Sequence, residues 1–193
     1  MVERKLSRSS ELEKHYRKIG AVLFIVNNQG EMLLVQENRV HDTDGGQIGN
    51  FSVVCETAER GEDWASNVIR GIQEELGPEV LANGHLAVNP DKCFLGESVF
   101  GPGVLARVVI LHYTGEPNSL IGTSGDGEVV AVGWRKPQEL LEYPLRPGVK
   151  KILEGCIIDG SFENLISPTN KLVPLSLDSL KATEPLSSTT TSS

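Results

Sequence analysis

Charge dominates the first 18 positions, where Glu3, Arg4, Lys5, Arg8, Glu11, Glu13 and Lys14 leave little apolar surface to bury. Ser10 and Glu13 stand at capping-box spacing, which predicts a short helix over 11–17. Apolar residues then fill 19–26, a buried strand. An Asn-Asn-Gln-Gly turn at 27–30 and a hairpin partner over 32–35 follow. Residues 37–50 form a long polar loop, 51–55 return to strand character, and 56–61 form a second loop. Ala65, Val68, Ile69, Ile72 and Leu76 fall at i, i+3, i+4, i+7 and i+11, the stripe of an amphipathic helix over 62–76 that Gly77-Pro78 should stop.

The second half predicts strands over 94–100 and 104–113, joined by Gly101-Pro102-Gly103, and another over 129–134. Pro137 suits the start of a short helix to 141, and Pro147 opens a longer one to 158. Beyond 167 the pattern fades, and residues 187–193 are all Ser or Thr. Such a segment cannot bury apolar surface and is expected to be disordered. The order β-β-β-α-β-β-β-α-α predicts one α+β domain over 18–165. A charged, helical extension (1–17) precedes it, and a polar, disordered tail (166–193) follows.

Charge narrows the function. Eighteen Lys+Arg against 26 Asp+Glu leave −8, so no basic field is available to displace phosphate counterions and no nucleic-acid partner is expected. A small anion remains compatible if carboxylates hold a divalent metal. The longest clean apolar run is Ala21 to Val26, far short of the roughly 20 residues that span a bilayer. No membrane partner and no secretory signal are expected. Cys55, Cys93 and Cys156 are odd in number and widely spaced, which suits reduced thiols and a cytoplasmic location.

The stretch 51–78 carries the chemistry. Arg70, Glu74 and Glu75 lie near one another on the helix, while Glu56, Glu59 and Glu62 crowd the loop that feeds it. Carboxylates gathered at one loop–helix junction repel unless cations intervene, and hard divalent ions such as Mg2+ or Mn2+ favour such oxygen-rich sites. On spacing alone, a solvated helix face is the better reading of Glu74-Glu75.

This stretch resembles the Nudix box, G-x5-E-x7-R-E-U-x-E-E-x-G-U with U aliphatic. Glu62, Arg70, Ile72, Glu74, Glu75 and Gly77 stand in register, and Glu59-Arg60-Gly61-Glu62 matches the E-x-G-E that leads into the family's helix. Phe51 sits where an aromatic usually precedes the box. Glu128-Val129, Trp134 and Glu139-Leu140 resemble the later E-V-x4-W-x4-E-L pattern. The resemblance implies an α/β/α sandwich around a mixed sheet. Three departures fall within or beside the box. Glu56 replaces its first Gly, after Val54-Cys55 in place of the usual Pro-Gly. Gly71 replaces the Glu after the Arg, and Pro78 replaces the closing aliphatic. In Nudix hydrolases the Glu at that position often binds metal or positions the base.

The resemblance implies a Mg2+- or Mn2+-dependent hydrolase of the diphosphate bond in a nucleoside diphosphate linked to another moiety. Glu74, Glu75, Glu59 and the Cys55 carbonyl are the implied metal ligands. Arg70 is expected to orient the carboxylates with Glu62 as its partner, and Glu128 to act as base. Gly71 and Glu56 motivate an alternative, a catalytically inactive domain that binds a nucleotide or a protein. Cys55 stands seven residues before Glu62, where isopentenyl-diphosphate isomerases of the same fold place a catalytic Cys. Their Cys-x-His-Pro reads Cys55-Glu56-Thr57-Ala58 here, which argues against that activity. Trp134 is expected to anchor the core, and Arg107 and His112 to face solvent or a pocket mouth. His41, Asp42 and Asp44 are assigned to a solvated loop. Both a monomer and a homodimer are open.

Overall fold

The computed structural model describes residues 15–40, 46–158 and 171–183. Its framework is a nine-stranded mixed sheet in the order β3 (Phe51–Ser52), β2 (Met32–Glu37), β1 (Lys18–Asn27), β7 (Val104–Tyr113), β5 (Leu86–Val88), β9 (Val173–Pro174), with β4 (Val54–Thr57) on β1, β6 (Phe94–Gly101) on β7 and β8 (Val129–Arg135) on β2. The central pair is β1 (Lys18–Asn27) and β7 (Val104–Tyr113), parallel over ten residue pairs from Lys18–Val104 to Asn27–Tyr113. Successive side chains of β1 alternate between two cores. Ala21, Leu23 and Ile25 join the apolar face of α1 (Trp64–Leu76), while Val22, Phe24 and Val26 join Val149, Ile152 and Leu153 of α4 (Pro147–Ile158). A strand buried on both faces reads as a continuous apolar run, as 19–26 does. The α/β/α sandwich follows from that pattern.

β2 (Met32–Glu37) forms the hairpin with β1 and runs two residues further than its apolar stretch suggests. The single strand expected over 51–55 is two strands, β3 (Phe51–Ser52) on β2 and β4 (Val54–Thr57) on β1. Apolar content could not reveal that change of partner. Gly20 permits the close approach of β1 and β4, because a Cβ there would meet the Glu56 carbonyl oxygen.

The helix expected over 62–76 starts at Trp64, with Asp63 as its N-cap accepting from the Ser66 N–H at 3.0 Å. It ends at Gly77, whose φ of 101° suits glycine, and Pro78 opens a second short helix, α2 (Pro78–Ala82). The remaining elements are β5 (Leu86–Val88), β6 (Phe94–Gly101), a 3-10 helix (Pro117–Leu120), β8 (Val129–Arg135), α3 (Pro137–Leu140), β9 (Val173–Pro174) and α5 (Leu177–Lys181). No helix among the described residues is long and apolar enough to cross a membrane.

Two expectations are corrected. Residues 171–183, assigned to a disordered tail, add β9 to the sheet edge beside β5 and set Leu180, fully buried, in the α1-side core. Their apolar residues are too few for a periodic signal but enough to cover an edge. His112 is buried, because its strand is covered on both faces, and burial lowers its pKa. Trp134 does anchor the core. It stacks on Tyr113 with centroids 5.9 Å apart and donates from Nε1 to the Pro117 carbonyl at 2.9 Å. Most of the helix expected over 11–17, His41, Asp42 and Asp44, and residues 187–193 lie outside the described residues.

Candidate active site

The site gathers where β4, α1, the end of β2 and the loop before β8 meet. Arg70 organises one side of it. Its Nε and Nη2 donate to Glu62 Oε1 and Oε2, each at 3.0 Å, in a bidentate fork. Nη2 also donates to the Thr57 carbonyl at 2.6 Å. Nη1 donates to Glu74 Oε2 at 2.7 Å and lies 3.2 Å from Glu56 Oε1. Burial works against the ionised form of Glu62. The hydrogen bonds from Arg70 and from the Glu59 N–H outweigh it and hold the carboxyl below its ordinary range. The same bonds raise the pKa of Arg70.

Glu75 forms the other side. It is only 4% exposed, and its Oε2 is buried without a hydrogen-bond partner. Burial, then the charges of Glu37, Glu56 and Asp126, push its carboxyl up to about 8, with Arg39 opposing. Glu56 is also raised, chiefly by burial, although Arg70 and the Thr57 N–H pull the other way. Backbone bonds pin this arrangement. Gly125 and Asp126 donate to the last carbonyls of α1, at Glu75 (3.1 Å) and Glu74 (2.7 Å). The loop that carries Asp126 is thus tied to the helix that carries Glu75.

Next to the carboxylates lies a cleft of about 280 Å3, whose walls include Lys18, Arg39, Arg146, Glu56 and Cys55. Arg146 is almost fully buried, 3.4 Å from Glu37 Oε1, with its guanidinium 4.9 Å above the Phe100 ring. A strongly acidic chain therefore keeps three cations facing one cavity.

The structure unites some expected residues and separates others. Glu56, Glu62, Arg70 and Glu74 form one ionic network, and Glu75 abuts it. Glu59 is exposed, and its contribution is the N–H that Glu62 accepts at 2.9 Å. Glu128 is ion-paired with Arg39, while Asp126, two residues earlier, is the loop carboxylate whose charge helps to raise Glu75. Burial pushes the Cys55 thiol up to about 12, against the effect of Arg146, so the thiol is no ready nucleophile.

Sequence reasoning missed Glu37, Asp126 and Arg146. Glu37 carried a usable signal, for it continues the Leu33–Val35 alternation of β2 onto the inward face and is 2% exposed. Arg146 carried none, lying between Leu145 and Pro147 at the mouth of a helix.

These residues suit a hard divalent cation. The donors are carboxylate oxygens, and Glu75 Oε2 is a buried acceptor left open. Among the described residues no three His, Cys, Asp or Glu side chains stand together as a finished ligand set. Arg70 engages Glu56 and Glu74 instead.

A family model described as "NUDIX domain" matches residues 16–156, which include every element described here from β1 to most of α4. The chain belongs to the Nudix family. It is 28% identical over 139 residues to the CTP pyrophosphohydrolase of Escherichia coli (strain K12), covering 72% of this chain and 91% of that protein. The fold is similar to a crystal structure from Deinococcus radiodurans, with TM-score 0.54, 14% identity and coverage of 72% and 82% of the two chains. It is also similar to the MutT protein of Methanosarcina mazei Go1, with TM-score 0.52, 16% identity and coverage of 74% and 94%. Likeness at that identity shows a shared fold. The Nudix box thus occupies β4, the turn after it and α1, the junction where the carboxylates converge.

Proposed function

We propose that this Nudix hydrolase cleaves the diphosphate bond of a nucleotide, a nucleoside diphosphate linked to phosphate or to another small moiety, with Mg2+ or Mn2+. The observation that carries the reading is the buried, unpartnered Glu75 Oε2 beside a cleft walled by Lys18, Arg39 and Arg146. Such a site offers cations to phosphate oxygens and a carboxylate acceptor to a metal.

Glu75 and Glu74 would hold the metal, which when bound neutralises the diphosphate and acidifies a water. Arg70 keeps the Glu62 and Glu74 carboxylates oriented through its fork, so that little reorganisation accompanies reaction. Arg39 and Arg146 bind phosphate oxygens in the cleft. Water adds its oxygen to one phosphorus as the bridging P–O bond breaks, and the leaving phosphate departs with the electron pair. Glu128, ion-paired with the cleft residue Arg39, accepts the proton of the attacking water. The named relative makes CTP the first substrate to try.

The test is a panel of nucleoside triphosphates and nucleotide diphosphate conjugates with Mg2+ and Mn2+, following phosphate after a coupled phosphatase. Turnover by the wild type and its loss in Glu75→Gln are expected. A second reading, a binding module without turnover, is motivated by Gly71 and by the absence of a finished ligand set among the described residues. Nucleotide binding by calorimetry with no turnover of any panel member would establish that reading and overturn the first.

A further inference from the structure

Gly71 lies on the buried face of α1, and its missing side chain has a definite occupant. A Cβ at that position would stand 2.7 Å from Glu56 Cβ and 3.3 Å from Glu56 Cγ. Real Cβ atoms do not approach so closely, so Glu56 fills the volume that a side chain at 71 would need. Two of the three departures from the Nudix box are therefore in contact with each other. One position has changed from Gly to Glu and the other from Glu to Gly.

The Glu56 carboxylate is placed with care. Its Oε1 accepts from the Thr57 N–H at 2.7 Å and lies 3.2 Å from Arg70 Nη1, the nitrogen that also holds Glu74. It is close enough for its charge to act on Glu75, whose buried Oε2 has no partner. That open acceptor is an observation independent of the acidic cluster, and it points to a cation beside Glu75.

We propose that Glu56 and Gly71 are a reciprocal exchange in which β4, rather than α1, supplies the box's missing carboxylate to the metal site. The proposal rests on the hydrolase reading and adds a metal-site residue to it. In Gly71 the helix gives up a side chain and some of its intrinsic stability relative to Ala. The packing of Glu56 against the bare backbone leaves no room for a side chain at 71.

The test measures Mn2+ binding by electron paramagnetic resonance, and folding by thermal melts, in the metal-free full chain. Glu56→Gln keeps the shape and removes the charge. It should weaken Mn2+ binding about tenfold or more, comparably to Glu75→Gln, without unfolding the protein. Gly71→Glu alone should lower the melting temperature, because its Cβ meets Glu56. The double variant Glu56→Gly with Gly71→Glu should recover both the melting temperature and Mn2+ affinity, to within about threefold of wild type, far above the sum of the single effects. If Glu56→Gln binds Mn2+ like wild type, or the folded double variant binds no better than Glu56→Gly alone, the exchange is wrong. Either result, with Glu75→Gln still defective, would leave the hydrolase reading standing. A wild type that binds no Mn2+ would overturn both.

Discussion

Burying a carboxylate without a partner couples its protonation to folding. Glu75 is such a group, raised from the ordinary carboxyl value near 4.5 to about 8 by burial and by Glu37, Glu56 and Asp126. Between these values the folded chain holds a proton that the unfolded chain has released. Stability is thus fully present below the unfolded pKa and is lost as pH climbs to about 8. Metal-free Glu75→Gln should escape this loss and exceed the wild type at pH 8 by on the order of 3 kcal/mol, with little difference at pH 4.5. Urea titrations at several pH values would measure it, and parallel wild-type and mutant curves would refute it. Arg70 gives the opposite slope through Glu62, whose depressed pKa contributes stability above the unfolded value and loses it as pH falls through the folded one. Arg70→Met leaves Glu62, Glu56 and the Thr57 carbonyl without their cation. It should cost about 3 kcal/mol at pH 7 and less at pH 4, because breaking one partner out of a semi-buried network strands the others.

The helix α1 shows which parts of the site could be read in advance. Its apolar stripe and the Glu62–Arg70–Glu74 spacing are local facts of a 3.6-residue period. The structure keeps Ala65, Val68, Ile72 and Leu76 inside, with Arg70 facing Glu62 and Glu74. The cap was less legible. Asp63 rather than Glu62 starts the helix, because its side chain takes both the Ser66 N–H and the Ser66 hydroxyl at 3.0 Å, while Glu62 is engaged by Arg70. Asp63→Ala should therefore cost about 1 kcal/mol in chemical denaturation and leave Mn2+ affinity unchanged, since no carboxylate of the cluster contacts it. A large change in affinity would mean that the cap sets the register of the site. Other features depended on partners distant in sequence. The switch of β3 and β4 between neighbouring strands, and the burial of Arg146 against Phe100 and Glu37, have no local signature. Contact between Glu56 and Gly71 is of the same kind, although both residues stand out as departures from the box. Only the fold shows that they touch.

Across the whole molecule, the site is held by one layer pressed onto another, with α1 clamped between the sheet and the C-terminal segment. Leu180 of α5 is fully buried in the core that contains Val68, Ile72 and Leu76 of α1, and β9 pairs with β5 at the sheet edge. Lys181 adds an ion pair to Asp63 at 3.7 Å, which is exposed and contributes little. Apolar burial should decide the matter. Leu180→Ala opens a cavity against α1 and should lower stability by about 3 kcal/mol, or on the order of 6–12 °C in melting temperature for a chain of this size. Lys181→Ala should change it by less than about 1 °C. The two variants also separate stability from chemistry. Leu180 touches the apolar face of α1, whereas Arg70 and Glu74 lie on its polar face. The folded fraction of Leu180→Ala should therefore bind Mn2+ as tightly as wild type at 20 °C. Loss of affinity at a temperature where the mutant is fully folded would instead mean that the C-terminal segment sets the position of α1 within the site.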